Sequence, residues 1–469
     1  MRLLANVDAT PEQLRILADT KPGFHLIRGA AGSGKTTTAL LRLRQLCASR
    51  LNRRARLGVE DPVRVLVLTY NRTLEGYISE LARQQVTGTS GLVLRVSTFS
   101  RWAIDMVGRD EIIDRDQVRS TLHQLSPNVG LSANYLADEV EYLLGRFQPD
   151  QLNRYLTARR DGRGQSPRVE RAMKERILAE VVTPYATIKR QQGWRDWNDI
   201  ATAAANAADN EHVPSWDVAI LDESQDFSAN QIRAVVRHLA LDHTTTFVMD
   251  RTQRIYPRYF TWIEVGVVLT SNHLLRANHR NTRQIAAFAH SLVEGLPHDD
   301  DGALPDFQSC NRDGELPRII AGRFSTQVTY ALHKIRGEVD LTAESVAFLH
   351  PKGGGWFDHL RERLRTEGVD WCELTRTSEW PQGPESVALC TIHSAKGLEF
   401  DHVFILGLNQ QVTPHGTDAG DERLDTLRRL LAMAVGRARR TVTVGYKPSD
   451  MSTLVNFIKP DTYERINLA

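Results

Sequence analysis

Apolar positions in the first hundred residues gather into short runs rich in aliphatic and β-branched side chains, at 24–27, 63–68 and 92–96. Helically spaced stretches separate them. Such runs predict strands buried on both faces, and their alternation with helices predicts a parallel sheet. From about 101 to 208 the pattern changes to Leu, Ala, Arg and Glu at helical spacing without a strand-like run, which predicts a helical insertion. Strand-like runs return at 218–221, 245–249 and 267–269, so the first sheet is expected to be completed after the insertion. A polar stretch rich in Pro, Asp and Gly, 296–317, predicts a connecting loop. A second α/β rhythm follows, with strands expected at 345–349, 387–391, 402–406 and 441–444. The expected organisation is an α/β domain over 1–100 and 209–290, a helical insertion over 101–208, a linker over 291–317 and a second α/β domain over 318–469.

Composition changes little in that picture. A chain of 469 residues has room for two or three domains, and 41% hydrophobic with 25% charged residues is the balance of a soluble globular protein. No apolar run approaches the ~20 residues of a bilayer span, and the opening segment lacks the layout of a secretory signal. Cytoplasmic residence without a membrane partner is therefore expected. The 59 Lys and Arg against 57 Asp and Glu leave a net charge of +2, which by itself does not announce a polyanion partner. Cys47, Cys310, Cys372 and Cys390 form no CxxC pair, so no zinc ribbon or iron–sulfur cluster is indicated. Two arginine patches, Arg50, Arg53, Arg54 and Arg56 in the first and Arg159, Arg160 and Arg163 in the second, each read alone as solvated surface. They gain weight as phosphate contacts only if other features indicate DNA.

The chemistry concentrates at strand ends. After the first strand come Gly29, Ala30, Ala31, Gly32, Ser33, Gly34, Lys35 and Thr36, a full GxxxxGK[ST] match leading through Thr37 into a helix. Glycines let the backbone approach a phosphate, the helix N-terminus favours its charge, Lys35 reaches the β- and γ-phosphates, and the Thr36 hydroxyl suits Mg²⁺. The run at 218–221 ends in Asp222 and Glu223. Acidic residues at the carboxyl end of a parallel strand face the ligand crevice of such sheets, with Asp222 suited to Mg²⁺ and Glu223 to accepting a proton from an attacking water.

With these in place, the chain resembles superfamily 1 helicases of the UvrD/Rep/PcrA type from end to end. Thr10, Pro11, Glu12 and Gln13 resemble the Q motif, implying that Gln13 reads adenine. Tyr70 and Asn71 resemble part of motif Ia, and Thr98 with Phe99 part of motif Ic, both implying contact with single-stranded DNA. Asp222 to Asp226 is similar to the DExQD form of motif II, and the segment containing Gln253 and Tyr256 to motif III, implying that Gln225 and Gln253 sense the γ-phosphate. His279 and Arg280 fall in a stretch similar to motif IV, implying a base-stacking ring and a phosphate-binding arginine. The stretch from Thr391 through His393 to Glu399 resembles motif V, implying that Glu399 lies near the ribose and Thr391 and His393 near the DNA backbone. Arg437 stands where motif VI has its arginine finger. The implied fold is α/β, two RecA-like P-loop domains with an α-helical 1B-like insertion in the first.

Departures accompany the resemblance. His279 replaces the usual tyrosine, Ser100 a histidine and Gly436 a threonine; the aromatic part of motif III is rewritten, leaving Tyr256 and Trp262 as stacking candidates. Only a short link precedes motif V, so the family's 2B domain is expected to be missing, and no nuclease domain or basic tail is evident after motif VI. The resemblance implies an ATP- and Mg²⁺-dependent translocase or helicase on single-stranded or tailed DNA, moving 3′ to 5′, in DNA repair, recombination or phage defence. The alternative is an ATP-driven sensor or motor subunit working with a nuclease; RNA as substrate also stays open, because stacking and backbone contacts do not by themselves distinguish the sugars.

Overall fold

The computed structural model describes residues 9–29, 32–70, 72–86, 90–109, 111–127, 129–159, 168–210, 213–249, 260–296, 310–375, 379–381, 383–416 and 421–468. Six parallel strands form the first sheet: β1 (Gly23–Gly29), β2 (Val63–Thr69), β3 (Leu92–Thr98), β4 (Trp216–Leu221), β5 (Leu239–Met249) and β6 (Leu269–Leu275), in the order β3-β2-β4-β5-β1-β6. Alternate residues serve its two faces, as the strand period requires. Ile27, Val65, Val67, Val218, Ile220 and Val248 enter one core with the helices Lys35–Leu57 and Arg72–Val86. Leu26, Leu66, Leu68, Ala219, Leu221 and Phe247 enter another with Phe99–Val107, Trp197–Ala207 and Ala229–Arg237. The runs at 63–68 and 218–221 mark strands covered on both sides, whereas the run at 92–96 is the edge strand β3, mostly half-buried with Val93 exposed, because it has a neighbour on one side only.

β6 departs from the expected 267–269. It is an edge strand whose side chains alternate between half-buried and exposed, so its polar Thr270, Ser271, Asn272 and His273 fit a strand without forming an apolar run.

The helical region divides by packing. Its outer helices, Phe99–Val107 and Trp197–Ala207, brace the first sheet, whereas Arg115–Leu125, Ala133–Arg146 and the continuous helical stretch 171–192 share a separate core containing Leu122, Leu136, Leu143, Ile177, Val181 and Tyr185. A parallel bridge between Ile112 and Arg195 joins the entering and leaving chains. Within the long helix, the turn Ile177–Val182 widens to π geometry just before Pro184, which has no N–H to return to the preceding turn.

At the exit, buried Asp196 accepts from Tyr185 Oη at 2.9 Å, Lys189 Nζ at 2.7 Å and the amides of Asn198 and Asp199 at 2.8 and 3.1 Å. Asp196→Ala removes a helix cap and one of two carboxylates holding the buried Lys189, with Asp199 remaining. The expected loss is about 3 kcal/mol. Urea unfolding measures it, and an unchanged midpoint would show that the network contributes nothing.

The second sheet is also parallel, with β7 (Arg318–Ala321), β8 (Val346–His350), β9 (Trp371–Glu373), β10 (Val387–Thr391), β11 (Phe400–Ile405), β12 (Ala438–Tyr446) and β13 (Glu464–Asn467) in the order β13-β7-β12-β11-β8-β10-β9. Between β9 and β10 run only the thirteen positions 374–386. The two sheets are joined by packing and hydrogen bonds. Thr73 Oγ1 donates to Leu374 O at 2.8 Å, Tyr77 meets Trp380 edge-on at 5.0 Å, and helix Arg283–Val293 packs on Glu422–Val435. No helix among the described residues is long and apolar enough to cross a membrane.

Candidate active site

The carboxyl ends of β1 and β4 meet the second sheet at one cleft. Gly29 ends β1, and helix Lys35–Leu57 starts after Gly34, whose φ of 77° is in the left-handed region that favours glycine. Crowding also restricts the cradle: a Cβ on Gly32 would lie 2.2 Å from Asn278 Oδ1, and one on Gly34 would lie 2.7 Å from Gln13 Nε2. Gln13 spends its Oε1 on the Thr10 amide at 2.9 Å in a reciprocal cap of its own helix, which leaves its Nε2 against the loop. Lys35 Nζ donates to Gly29 O at 2.7 Å, and Thr37 lies in the same first helical turn. Ser33 Oγ is buried and has no hydrogen-bond partner among the described residues. Ala30 and Ala31 lie outside the described residues.

Thr36 Oγ1 stands 3.1 Å from both carboxylate oxygens of Asp222. Burial, then the neighbouring Glu223, push the Asp222 pKa up to about 7, against the Thr36 hydroxyl and Lys35. A hydroxyl and a carboxylate lacking sufficient countercharge form the hard-oxygen set that Mg²⁺ takes, and the orphaned Ser33 hydroxyl and glycine-lined loop fit a phosphate.

Glu223 holds a left-handed backbone, φ 52°, a strained conformation for a residue with a side chain. It turns the chain sharply after β4. Its carboxylate accepts from Gln225 Nε2 and lies 3.5 Å from Lys396 Nζ, which also pairs with buried Asp226. Burial disfavours the Lys396 charge, yet Asp226 and Glu223 more than offset it and hold its pKa above the usual value. Lys396 is the functional candidate that sequence reasoning passed over, although it stands inside the motif V match as a lone cation between Ala395 and Gly397.

Around the same cleft, Arg280 pairs with Glu399 and donates to Gly436 O at 3.3 Å. Burial works against ionisation of Glu399, but Arg280, with Arg439 and Arg437 behind it, keeps its pKa below the usual range. Arg437 is buried, its Nε donating to Met433 O at 3.0 Å. Exposed His279 donates its amide to Gly32 O at 3.0 Å. The structure thus brings together Gln13, Gly29, Gly32, Ser33, Gly34, Lys35, Thr36, Asp222, Glu223, Gln225, His279, Arg280, Glu399 and Arg437.

The residues expected on DNA are more dispersed in role. The Thr98 hydroxyl caps helix Phe99–Val107, and Phe99 is buried against Trp102 and Phe227. Tyr70, half-buried at the end of β2, also meets the Phe227 edge, while Trp262 packs on Phe247 at 4.6 Å. Thr391 Oγ1 accepts from the Ser394 amide at 3.2 Å, and His393 beside it is exposed. Asn71, Gln253, Tyr256, Arg160 and Arg163 lie outside the described residues. In the other arginine patch, Arg50 and Arg53 pair with Asp242 and Arg54 with Asp217.

Comparison with known proteins places this arrangement. Residues 9–258 match the UvrD/REP helicase N-terminal domain, and residues 372–449 match the UvrD-like helicase C-terminal domain. A probable DNA helicase of Mycoplasma pneumoniae is 23% identical over 231 residues, 47% of this chain and 42% of that protein. The ATP-dependent DNA helicases Rep of Escherichia coli and PcrA of Bacillus subtilis are 34% and 36% identical over 71 and 73 residues, each match covering 15% of this chain and 10% of the relative. The chain thus spans less than half the length of these curated relatives. With over half its residues in the N-terminal match and the two parallel sheets meeting at a P-loop cleft, the chain belongs to the UvrD/REP helicase family.

Proposed function

We propose that this chain is an ATP-dependent DNA motor that translocates 3′ to 5′ on single-stranded or tailed DNA in the cytoplasm, in repair, recombination or phage defence. The observation that carries the proposal is the single cleft in which Lys35, Thr36, Asp222, Glu223 and Arg280 of the first domain meet Glu399, Lys396 and Arg437 of the second.

In this reading Gln13 and His279 hold adenine, Glu399 approaches the ribose, and the loop 29–37 with Lys35 cradles the phosphates. Thr36 and Asp222 would hold Mg²⁺, which neutralises phosphate charge when bound. Glu223 takes the proton from the attacking water; Gln225 and Gln253 sense the γ-phosphate; Arg280 and Arg437 draw the two domains onto it. Loss of the γ-phosphate releases that grip, so each ATP closes and opens the cleft once. Tyr70, Asn71, Thr98, Tyr256, Trp262, Thr391 and His393 form the DNA path, by stacking and by backbone contact, with the buried Phe99 supporting it from the core rather than touching DNA.

A strand-displacement assay with 3′- and 5′-tailed duplexes tests the proposal, alongside ATP hydrolysis with matched DNA and RNA oligonucleotides. DNA-stimulated hydrolysis with displacement from the 3′ tail is expected. Hydrolysis indifferent to nucleic acid overturns the motor reading, and displacement from the 5′ tail alone overturns the polarity. The thirteen-residue β9–β10 link, where the family's 2B domain is expected, favours one second reading: an ATP-driven sensor or motor subunit of a complex with a nuclease. DNA-stimulated hydrolysis without displacement from either tail would select it.

A further inference from the structure

A second cluster of metal-binding side chains lies away from the nucleotide loop. His25 precedes Gly29 by four residues, about 13 Å along β1. It pairs in register with Ser271 on β6, and His273 follows two residues later on the same face. Asp19, just after helix Pro11–Leu17, reaches the same point. We propose that Asp19, His25 and His273 form a binding site for a transition-metal ion of the Zn²⁺ class, which clips the N-terminal helix to the edge of the first sheet.

Four observations carry the proposal. First, one ligand atom from each residue lies within 4.8 Å of the others. Asp19 Oδ2 is 3.4 Å from His25 Nδ1 and 3.3 Å from His273 Nε2, and neighbouring ligands on a tetrahedral Zn²⁺ with bonds near 2.0 Å stand about 3.3 Å apart. Second, His25 is fully buried and its Nε2 lies 2.8 Å from Lys21 O. A carbonyl only accepts, so that nitrogen carries the hydrogen and the neutral ring turns the Nδ1 lone pair toward the cluster, as metal-ligating histidines do. Third, Asp19 Oδ1 is buried without a hydrogen-bond partner among the described residues. Fourth, Arg42 donates to the backbone carbonyl of Asp19 at 2.6 and 3.2 Å, which fixes the residue, while its carboxylate faces the histidines and also accepts from Ser271 and the Lys21 backbone.

Two imidazoles and one carboxylate suit zinc, cobalt and nickel and disfavour Mg²⁺ or Ca²⁺. A water can complete the shell; Ser271 Oγ, 2.6 Å from His25 Nδ1 and 3.0 Å from His273 Nε2, is at hydrogen-bond distance from the ligand nitrogens, and its hydroxyl must turn away when the ion binds. The Arg42 charge nearby lowers the affinity such a set would otherwise have. Because helix Pro11–Leu17 carries Gln13, a bound ion would tether the nucleotide-facing amide to β1 and β6.

The test is titration of the full chain, free of nucleotide and Mg²⁺, with Co²⁺ as a spectroscopic probe followed by Zn²⁺ competition. One Co²⁺ per chain is expected, with the intense visible bands of four-coordinate cobalt, displaced by Zn²⁺. His273→Ala and Asp19→Asn are expected to weaken binding at least tenfold while retaining the wild-type circular dichroism. Zn²⁺ should raise the Tm of the wild type and leave that of His273→Ala unchanged. Absence of stoichiometric uptake by the wild type, uptake undiminished in both variants, a thiolate charge-transfer band, or only the weak spectrum of oxygen-bound octahedral cobalt each overturns the proposal.

Discussion

Glu223→Gln is expected to lower DNA-stimulated ATP hydrolysis by about 10²–10⁴-fold, the usual contribution of a positioned general base. The substitution keeps the shape of the side chain and does not touch the strained backbone at φ 52° that aims it. Lys396 keeps Asp226 as partner, so the contact between the sheets survives and folding should be unaffected. Equilibrium binding of ATP should stay within a few-fold of wild type, since a group that acts on the attacking water contributes little to the ground state. Steady-state turnover with saturating single-stranded DNA, paired with nucleotide binding, measures both. Turnover within tenfold of wild type would remove Glu223 from the role of base.

Arg437→Ala should act on turnover at least as severely, by about 10³-fold or more, in the range of arginine fingers. The guanidinium is buried where helix Glu422–Val435 gives way to β12, and it donates to Met433 O. Arg437→Lys restores the charge without the planar fork and should recover only part of the loss. The melting temperature separates lost chemistry from lost structure, because the buried carbonyl of Met433 also loses its donor. A variant that melts like wild type and hydrolyses ATP within tenfold of it would exclude Arg437 as the finger.

Of the two residues, Glu223 is legible from short-range pattern, whereas Arg437 is marked only by the resemblance of its surroundings to motif VI. The P-loop is contiguous in sequence, and Asp222 and Glu223 directly follow a strand buried throughout, so neighbours alone disclose them. Lys396 was missed because its meaning comes from Asp226, 170 residues earlier and on the other sheet. His25 and His273 are likewise far apart in sequence, and only the register of β1 on β6 brings them together. The strands β7, β9 and β13 have three or four residues each, too few to show a period. β6 escaped its expected place because an edge strand needs no continuous apolar run. Thr98 shows the opposite difficulty: a hydroxyl within a DNA-contact motif also serves as a helix cap, and spacing cannot separate the two uses.

The Lys396 contact with Asp226 and Glu223 also bears on how the cleft breathes. A fully desolvated ammonium held by two carboxylates across a domain boundary cannot be separated gradually, because water must enter before the charges part. Bulk ions reach such a pair poorly, whereas surface phosphate contacts weaken steeply as salt rises. Opening of the nucleotide cleft should therefore be governed by hydration at one buried point, and its lifetime should change little with ionic strength even as DNA dissociates faster. If the proposed motor function holds, the chain would then keep its internal clock while its hold on DNA varies with the medium.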